Sequence, residues 1–210
     1  RREIIRRAPQ RQFENPIINF NNFALISKEL LLKFFITENH VHKNHMFEMN
    51  EHGKIWLVFP KIEDDGEIVF YQMRCITERG FRSSGPKQYV YKQRFDNKPL
   101  AIVEDFISYC RVSEFVDCVC LYGTSLNNED VSYIIDNYNS ILIWLDNDYT
   151  KDINAGQIAA NKICKNLKYQ LYYKNINRGF TVQDSGIKNI VTEQDPKYYS
   201  DTEIKQILGV

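Results

Sequence analysis

The hydrophobic and polar positions change rhythm near Pro99. Beyond it, short apolar runs alternate with amphipathic stretches. The run LAIVE (100–104) leads into a helical stretch over 105–114. DCVCLY (117–122) leads into NNEDVSYIIDNY, where Val131, Ile134 and Ile135 fall at helical spacing. SILIWLD (140–146) leads into AGQIAANKICKNL, in which Ile158, Ala159, Ile163 and Leu167 share one helical face. YQLYY (169–173) reads as a further strand, and NIVT (189–192) precedes SDTEIKQIL, where Ser200 and Glu203 fit a capping box. Residues 174–188 carry no clear pattern and read as a loop or an extra hairpin. Strands alternating with amphipathic helices predict a mainly parallel sheet flanked by helices, with right-handed crossovers.

Before Pro99 the pattern is antiparallel in character. ALISKELLLKFFI (24–36) predicts a short helix capped by Ser27. KIWLVFPKIEDDGEIVFYQMRC (54–75) predicts a hairpin turning at EDDGE. A third extended piece, KQYVYKQRF (87–95), follows GFRSSGP. Its Tyr89 and Tyr91 read as ordinary strand residues, although aromatic rings among basic ones could also stack bases. His40, His42 and His45 have a spacing that can bind zinc or copper, but no cysteine lies near and the segment reads as a connecting loop. The organisation expected is a smaller basic α+β subdomain over 1–98 and an α/β domain over 99–210.

The chain has 210 residues, with Lys plus Arg and Asp plus Glu balanced at 27 each, so net charge selects no partner. Basic residues do cluster in RREIIRRAPQR at the start, a solvated linker or an arm for nucleic acid. Five cysteines without a CxxC pair exclude a zinc ribbon and predict reduced, mostly buried thiols, as in a cytoplasmic protein. Cys118 and Cys120 alternate on one face of a strand. Trp56 and Trp144 lie in apolar runs and are expected in the core. No apolar run approaches the ~20 residues of a membrane helix, and there is no secretory signal. A first residue of Arg rather than Met suggests an excised piece of a longer chain.

In a parallel α/β sheet, chemistry collects at the carboxyl ends of the strands. Glu104, Asp146 and Asp148 all stand there, and Asp146 and Asp148, two apart on an extended segment, face one side. Nothing basic is expected beside them. Hard carboxylate oxygens suit Mg²⁺, which takes one or two carboxylates plus water and phosphate oxygens. Paired divalent ions can then assist phosphoryl transfer. The plainer alternative is that Asp146-Asn147-Asp148 forms an Asx turn and caps the next helix.

An ordered series of motifs resembles the Toprim-containing DNA primases, bacterial primases and the primase half of phage helicase-primases. ISKELLLKFFI (26–36) looks like the helix before their core, and IWLVFPKIEDDGEIVFYQMR (55–74) looks like their FPI…D…G…V…R hairpin. GPKQYVY, LAIVED, LYGTSLNNEDV, ILIWLDND, AGQIAANKI and EQDPKYYSDTEI then match in order, so the resemblance spans about 25–208. It implies a Toprim catalytic domain that makes short RNA primers on single-stranded DNA from nucleoside triphosphates, with Mg²⁺ or Mn²⁺ as cofactor. Glu104 would be the conserved acid, Asp146 and Asp148 the metal pair, and Asp195 a further ligand. Arg74 and Lys87 fall on positions that bind nucleotide phosphates or template, with Arg79, Arg82 and Lys92 nearby. A replicative helicase, or a zinc-binding module that this sequence lacks, would be the partner.

The resemblance has departures. Asp105 stands where the family usually has Gly, and Ser108 where it often has Asp. YTKDIN (149–154) lengthens the loop after the aspartate pair. These departures, with the short length and the Tyr- and Asn-rich composition, point to a phage. The rivals are a Toprim nuclease or topoisomerase fragment, and a degenerate Toprim module that only binds.

Overall fold

The computed structural model describes residues 31–32, 35–63, 65–78, 80–84, 89–93, 98–148, 152–177 and 186–210. The basic arm, Ser27 and most of the expected 24–36 helix lie outside them. Among the described residues, helix α1 (Glu38–Lys43) is followed by strands β1 (Phe47–Glu51), β2 (Lys54–Ile62), β3 (Ile68–Cys75) and β4 (Phe81–Ser83). These four form an antiparallel sheet in sequence order. The hairpin expected over 54–75 is therefore present, with Trp56 paired to Cys75 and Lys61 to Phe70.

The histidine segment is not a loop. Thr37 caps α1, accepting from the His40 amide, while the His40 ring accepts from the Thr37 amide at 3.0 Å in a reciprocal capping box. His40 is buried, and desolvation lowers its pKa. It belongs to the helix start, where histidine substitutes for the usual Glu or Gln.

The second sheet holds β5 (Val90–Lys92), β6 (Leu100–Val103), β7 (Asp117–Cys120), β8 (Ile141–Trp144) and β9 (Ile187–Asn189) in the order β5-β7-β6-β8-β9. The β7-β6-β8-β9 pairs are parallel, and β5 runs antiparallel along β7. The extended piece expected with the antiparallel half thus edges the parallel sheet instead. Helices α2 (Phe106–Val112), α3 (Asn128–Asn137), α4 (Ala155–Asn177) and α5 (Asp201–Leu208) follow β6, β7, β8 and β9. The predicted capping box at Ser200 and Glu203 is formed.

Central strand β6 shows how the sequence builds two cores. Its four residues are at most 1% exposed, and successive side chains point to opposite faces. Leu100 and Ile102 pack with Val119, Ile134, Ile143, Ile163 and Leu167 under α3 and α4. Ala101 and Val103 pack with Phe106, Cys118, Cys120, Trp144 and Ile204 under α2 and α5. Burying each large side chain contributes about 1.5–3 kcal/mol. The expected Cys118–Cys120 face and both tryptophans are in the core, and all five cysteines are buried and outside any disulfide. Leu57, Phe59 and Phe70 join this second core, so the antiparallel sheet packs through it onto α2. Phe106 is the hinge of that contact, 5.1 Å from the Phe59 ring and 5.8 Å from Tyr122.

Residues 169–173 continue α4 rather than forming a strand. No Gly or Pro interrupts the segment, and Leu171 lies one turn beyond Leu167 against the same core. The tyrosines are exposed on the outer face, where Tyr169 and Tyr173, four apart, bring their rings within 4.5 Å. Lys174 then ties the helix to the end of α3 through the Ile135 carbonyl at 2.9 Å.

Candidate active site

A cleft of about 730 Å³ opens between the carboxyl ends of the parallel strands and the face of β3 and β4. Glu104, Asp146, Asp148 and Asp195 all line it. Arg74 and Phe81 line the opposite wall, with the Arg74 guanidinium 5.3 Å from the Phe81 ring centre. Arg82 does not reach the cleft wall. It stacks on Trp56 at 4.6 Å and pairs with Glu51 at 2.6 Å. Arg79 and Lys87 lie outside the described residues, as does the Lys92 side chain.

Local chemistry places each acid. Glu104 follows the last β6 residue, and its carbonyl accepts from the Gly123 amide at 2.9 Å, fixing the turn after β7 against β6. Tyr122 accommodates that turn with φ 48° while burying its ring on Phe70 and Phe106. The Asp146-Asn147-Asp148 strap is held from two sides. Asn147 donates from Nδ2 to the Thr192 carbonyl at 2.5 Å and accepts from Asn154 Nδ2 at 2.6 Å. The cap at the start of α4 is Asn154, whose side-chain oxygen accepts from the Gln157 amide at 3.2 Å and the Asp148 amide at 3.3 Å. The helix-capping alternative for the aspartate pair is thereby replaced. Gly156 lets α4 touch the strap, because an added Cβ would lie 2.1 Å from the Asp146 carbonyl oxygen.

The expectation that nothing basic stands beside the acids is overturned. Lys197, on a 3₁₀ turn at Pro196–Tyr198, buries its ammonium among them. Its Nζ lies 2.7 Å from Asp195, 2.8 Å from Asp105 and 3.4 Å from Asp146. A lysine in a polar stretch has no periodicity signal that reveals burial. The only hint was the Asp-Pro turn beside an acid already singled out.

Asp105, one of the departures, meets this lysine, and Ser108, another, bonds to Asp105. Asp105 caps α2, accepting from the Ile107 and Ser108 amides at 2.8 and 3.0 Å, and from the Ser108 hydroxyl at 3.1 Å. Burial works against its charge, but Lys197 and the Ser108 bonds outweigh it and lower the Asp105 pKa. Asp146 fares differently. Burial first, then Asp105, Asp195 and Glu104, push it up to about 8 despite Lys197. Burial and Asp105 also raise Glu104. Lys197 loses to burial and gains more from Asp105, Asp146 and Asp195, so its pKa rises and it is charged.

The donor set tests the fit to a divalent cation. Asp146 Oδ1 is buried and has no hydrogen-bond partner, a carboxylate oxygen left open inside an acidic cleft. Among the described residues, no three His, Cys, Asp or Glu side chains stand close enough to cage a metal on their own. Mg²⁺ requires no such cage, since one or two carboxylates suffice alongside water and substrate phosphates. The residues fit an ion of that kind.

The chain is an α/β core with acids gathered at the carboxyl ends of parallel strands. It has the fold of DNA primase catalytic cores. The primase fragment of the bacteriophage T7 primase-helicase superposes with a TM-score of 0.55, at 15% identity over 82% of this chain and 68% of that one. The DnaG catalytic core gives 0.56, at 13% identity over 94% of this chain and 71% of that one. A DnaG primase catalytic domain bound to single-stranded DNA gives 0.56, at 11% identity over 92% and 73%. No protein-family model and no curated protein matches the sequence. Among the described residues, no helix is long and apolar enough to cross a membrane.

Proposed function

We propose that the chain is the catalytic core of a DNA primase, with a Toprim domain that extends RNA primers on single-stranded DNA from nucleoside triphosphates. The observation that carries this is the convergence of Glu104, Asp146, Asp148 and Asp195 on one cleft in a primase-type fold, facing Arg74 across it. Mg²⁺ or Mn²⁺ would be held by Asp146 with Glu104 and Asp148, and would supply charge neutralisation for phosphoryl transfer. The chain's own residues do the positioning. Arg74 reaches nucleotide phosphates from the opposite wall, and Phe81, exposed beside it, offers a face for a base. Burial first, and then the neighbouring acids, raise Glu104 and Asp146, and a divalent cation beside them would favour their charged forms. Cytoplasmic replication in a phage-infected host and delivery by a helicase or zinc-binding partner complete this reading.

Primer synthesis on single-stranded template with ribonucleotides and Mn²⁺ tests it. The wild-type chain should make primers and Asp146→Asn should not. A second reading is favoured by Lys197, which already neutralises part of the acid cluster. A non-catalytic Toprim module would bind single-stranded DNA equally well with and without divalent ions, and Asp146→Asn would leave that binding unchanged.

A further inference from the structure

Lys197 surrounds its ammonium with protein carboxylates. Its Nζ donates to Asp105 and Asp146 and pairs with Asp195, so one oxygen from each of three carboxylates lies against it. The side chain is only 5% exposed, so this charge is built in rather than borrowed from solvent. The arrangement splits Asp146 in two. Its Oδ2 is on the ammonium, while its Oδ1 is buried and open. In a site with two divalent ions ~3.5–4 Å apart, a shared carboxylate presents one oxygen to each. Here one of those two positions is already filled by a protein cation.

We propose, resting on the metal-dependent reading of this cleft, that Lys197 is a fixed internal cation standing in for a second metal, so that the free chain takes a single divalent ion on the Asp146 Oδ1 side. Repulsion from the ammonium excludes another ion beside Oδ2. Asp105 completes the device. It takes Lys197 on Oδ2 and uses Oδ1 to cap α2, so the ammonium is anchored to the same helix start that follows Glu104. Lys197 is thus a positioning residue. It holds Asp146 by Oδ2, leaves Oδ1 unpaired and sets the number of ions, without itself touching the substrate.

The test is titration of the full chain with Mn²⁺ alone, counting bound ions by electron paramagnetic resonance, with circular dichroism to check folding. Wild type should bind one ion, Lys197→Arg one, and Lys197→Met two. Should Lys197→Met fail to fold, Asp105→Asn/Lys197→Met removes the opposite charges together and should also bind a second ion. Two ions bound by wild type, or a count and affinity unmoved by loss of Lys197, would overturn the proposal while leaving a metal-dependent cleft intact. No ion bound by wild type would overturn the metal-dependent reading, and this proposal with it.

Discussion

Gly156→Ala probes the joint that shapes the cleft without touching any of its acids. The new Cβ would meet the Asp146 carbonyl oxygen at 2.1 Å and its carbon at 3.0 Å. Ordinary contact begins near 3.4 Å, so helix and strap must separate by about 1.3 Å, and neither can yield as a flexible side chain would. Gln157 bonds the Leu145 and Asp146 carbonyls from the next position and would be pulled with it. Ala in a helix normally gains about 0.5–1 kcal/mol over Gly. Overpacking against a fixed backbone costs about 1–3 kcal/mol, so the net effect is a loss of up to about 2.5 kcal/mol. For a chain of this size that lowers Tm by up to about 10 °C in a thermal melt. Displacing Asp146 by about 1 Å should cost primer synthesis on the order of 10²-fold. Gly80→Ala is the control, because its Cβ meets nothing nearer than 3.9 Å and should shift stability by less than about 0.5 kcal/mol. A Gly156→Ala protein that melts at or above wild type with full activity would refute the reasoning.

Other outcomes follow from the same geometry. Asp146, raised to about 8 when folded and near 3.9 when unfolded, makes the metal-free fold less stable as pH rises between those values, by up to about 1.4 kcal/mol per pH unit. Asp146→Asn should therefore gain on wild type in urea melts at pH 8 and lose that advantage near pH 4, whereas a pH-independent difference would contradict the shift. Phe81→Ala should weaken single-stranded DNA or nucleotide binding by about 1–3 kcal/mol in fluorescence anisotropy, and Phe81→Trp should retain it. Because the Phe81 side chain is exposed, the melting curve should not move. Arg111→Met removes a buried guanidinium that bonds the Phe35 and Tyr199 carbonyls at 3.1 and 2.7 Å and Asp201 at 2.6 Å. With two carbonyls left unpaired, it should cost about 2 kcal/mol in denaturant unfolding, and a neutral result would mean water replaces the bonds.

Local pattern carried much of the architecture. The β6–α2, β7–α3 and β8–α4 units and the Ser200 capping box are where the alternation of apolar runs and helical stretches places them, because burial on both sheet faces leaves a continuous apolar signature. Glu104, Asp146 and Asp148 were legible for a related reason, since strand ends mark where side chains leave the core, whereas Asp195 was marked only by the resemblance. What escaped was decided by partners distant in sequence. YQLYY alternates like a strand, yet α4 runs through it because Leu171 reaches the core from a helix already under way. The strand 90–92 has no local feature to say which sheet it will join. Burial of Lys197 depends on Asp105, which lies 92 positions away, and on Asp146. Asp105 and Ser108, two of the departures from the resemblance, are bonded to each other, and Asp105 also accepts from Lys197.

Anomalous diffraction from Mn²⁺-soaked crystals shows whether these acids hold a divalent cation at the unpaired oxygen of Asp146. One manganese peak is expected about 2.1 Å from Asp146 Oδ1, with Lys197 still on Asp105 and Asp195. A cleft without a peak, or with the metal elsewhere and Asp146 bound only to Lys197, would contradict it.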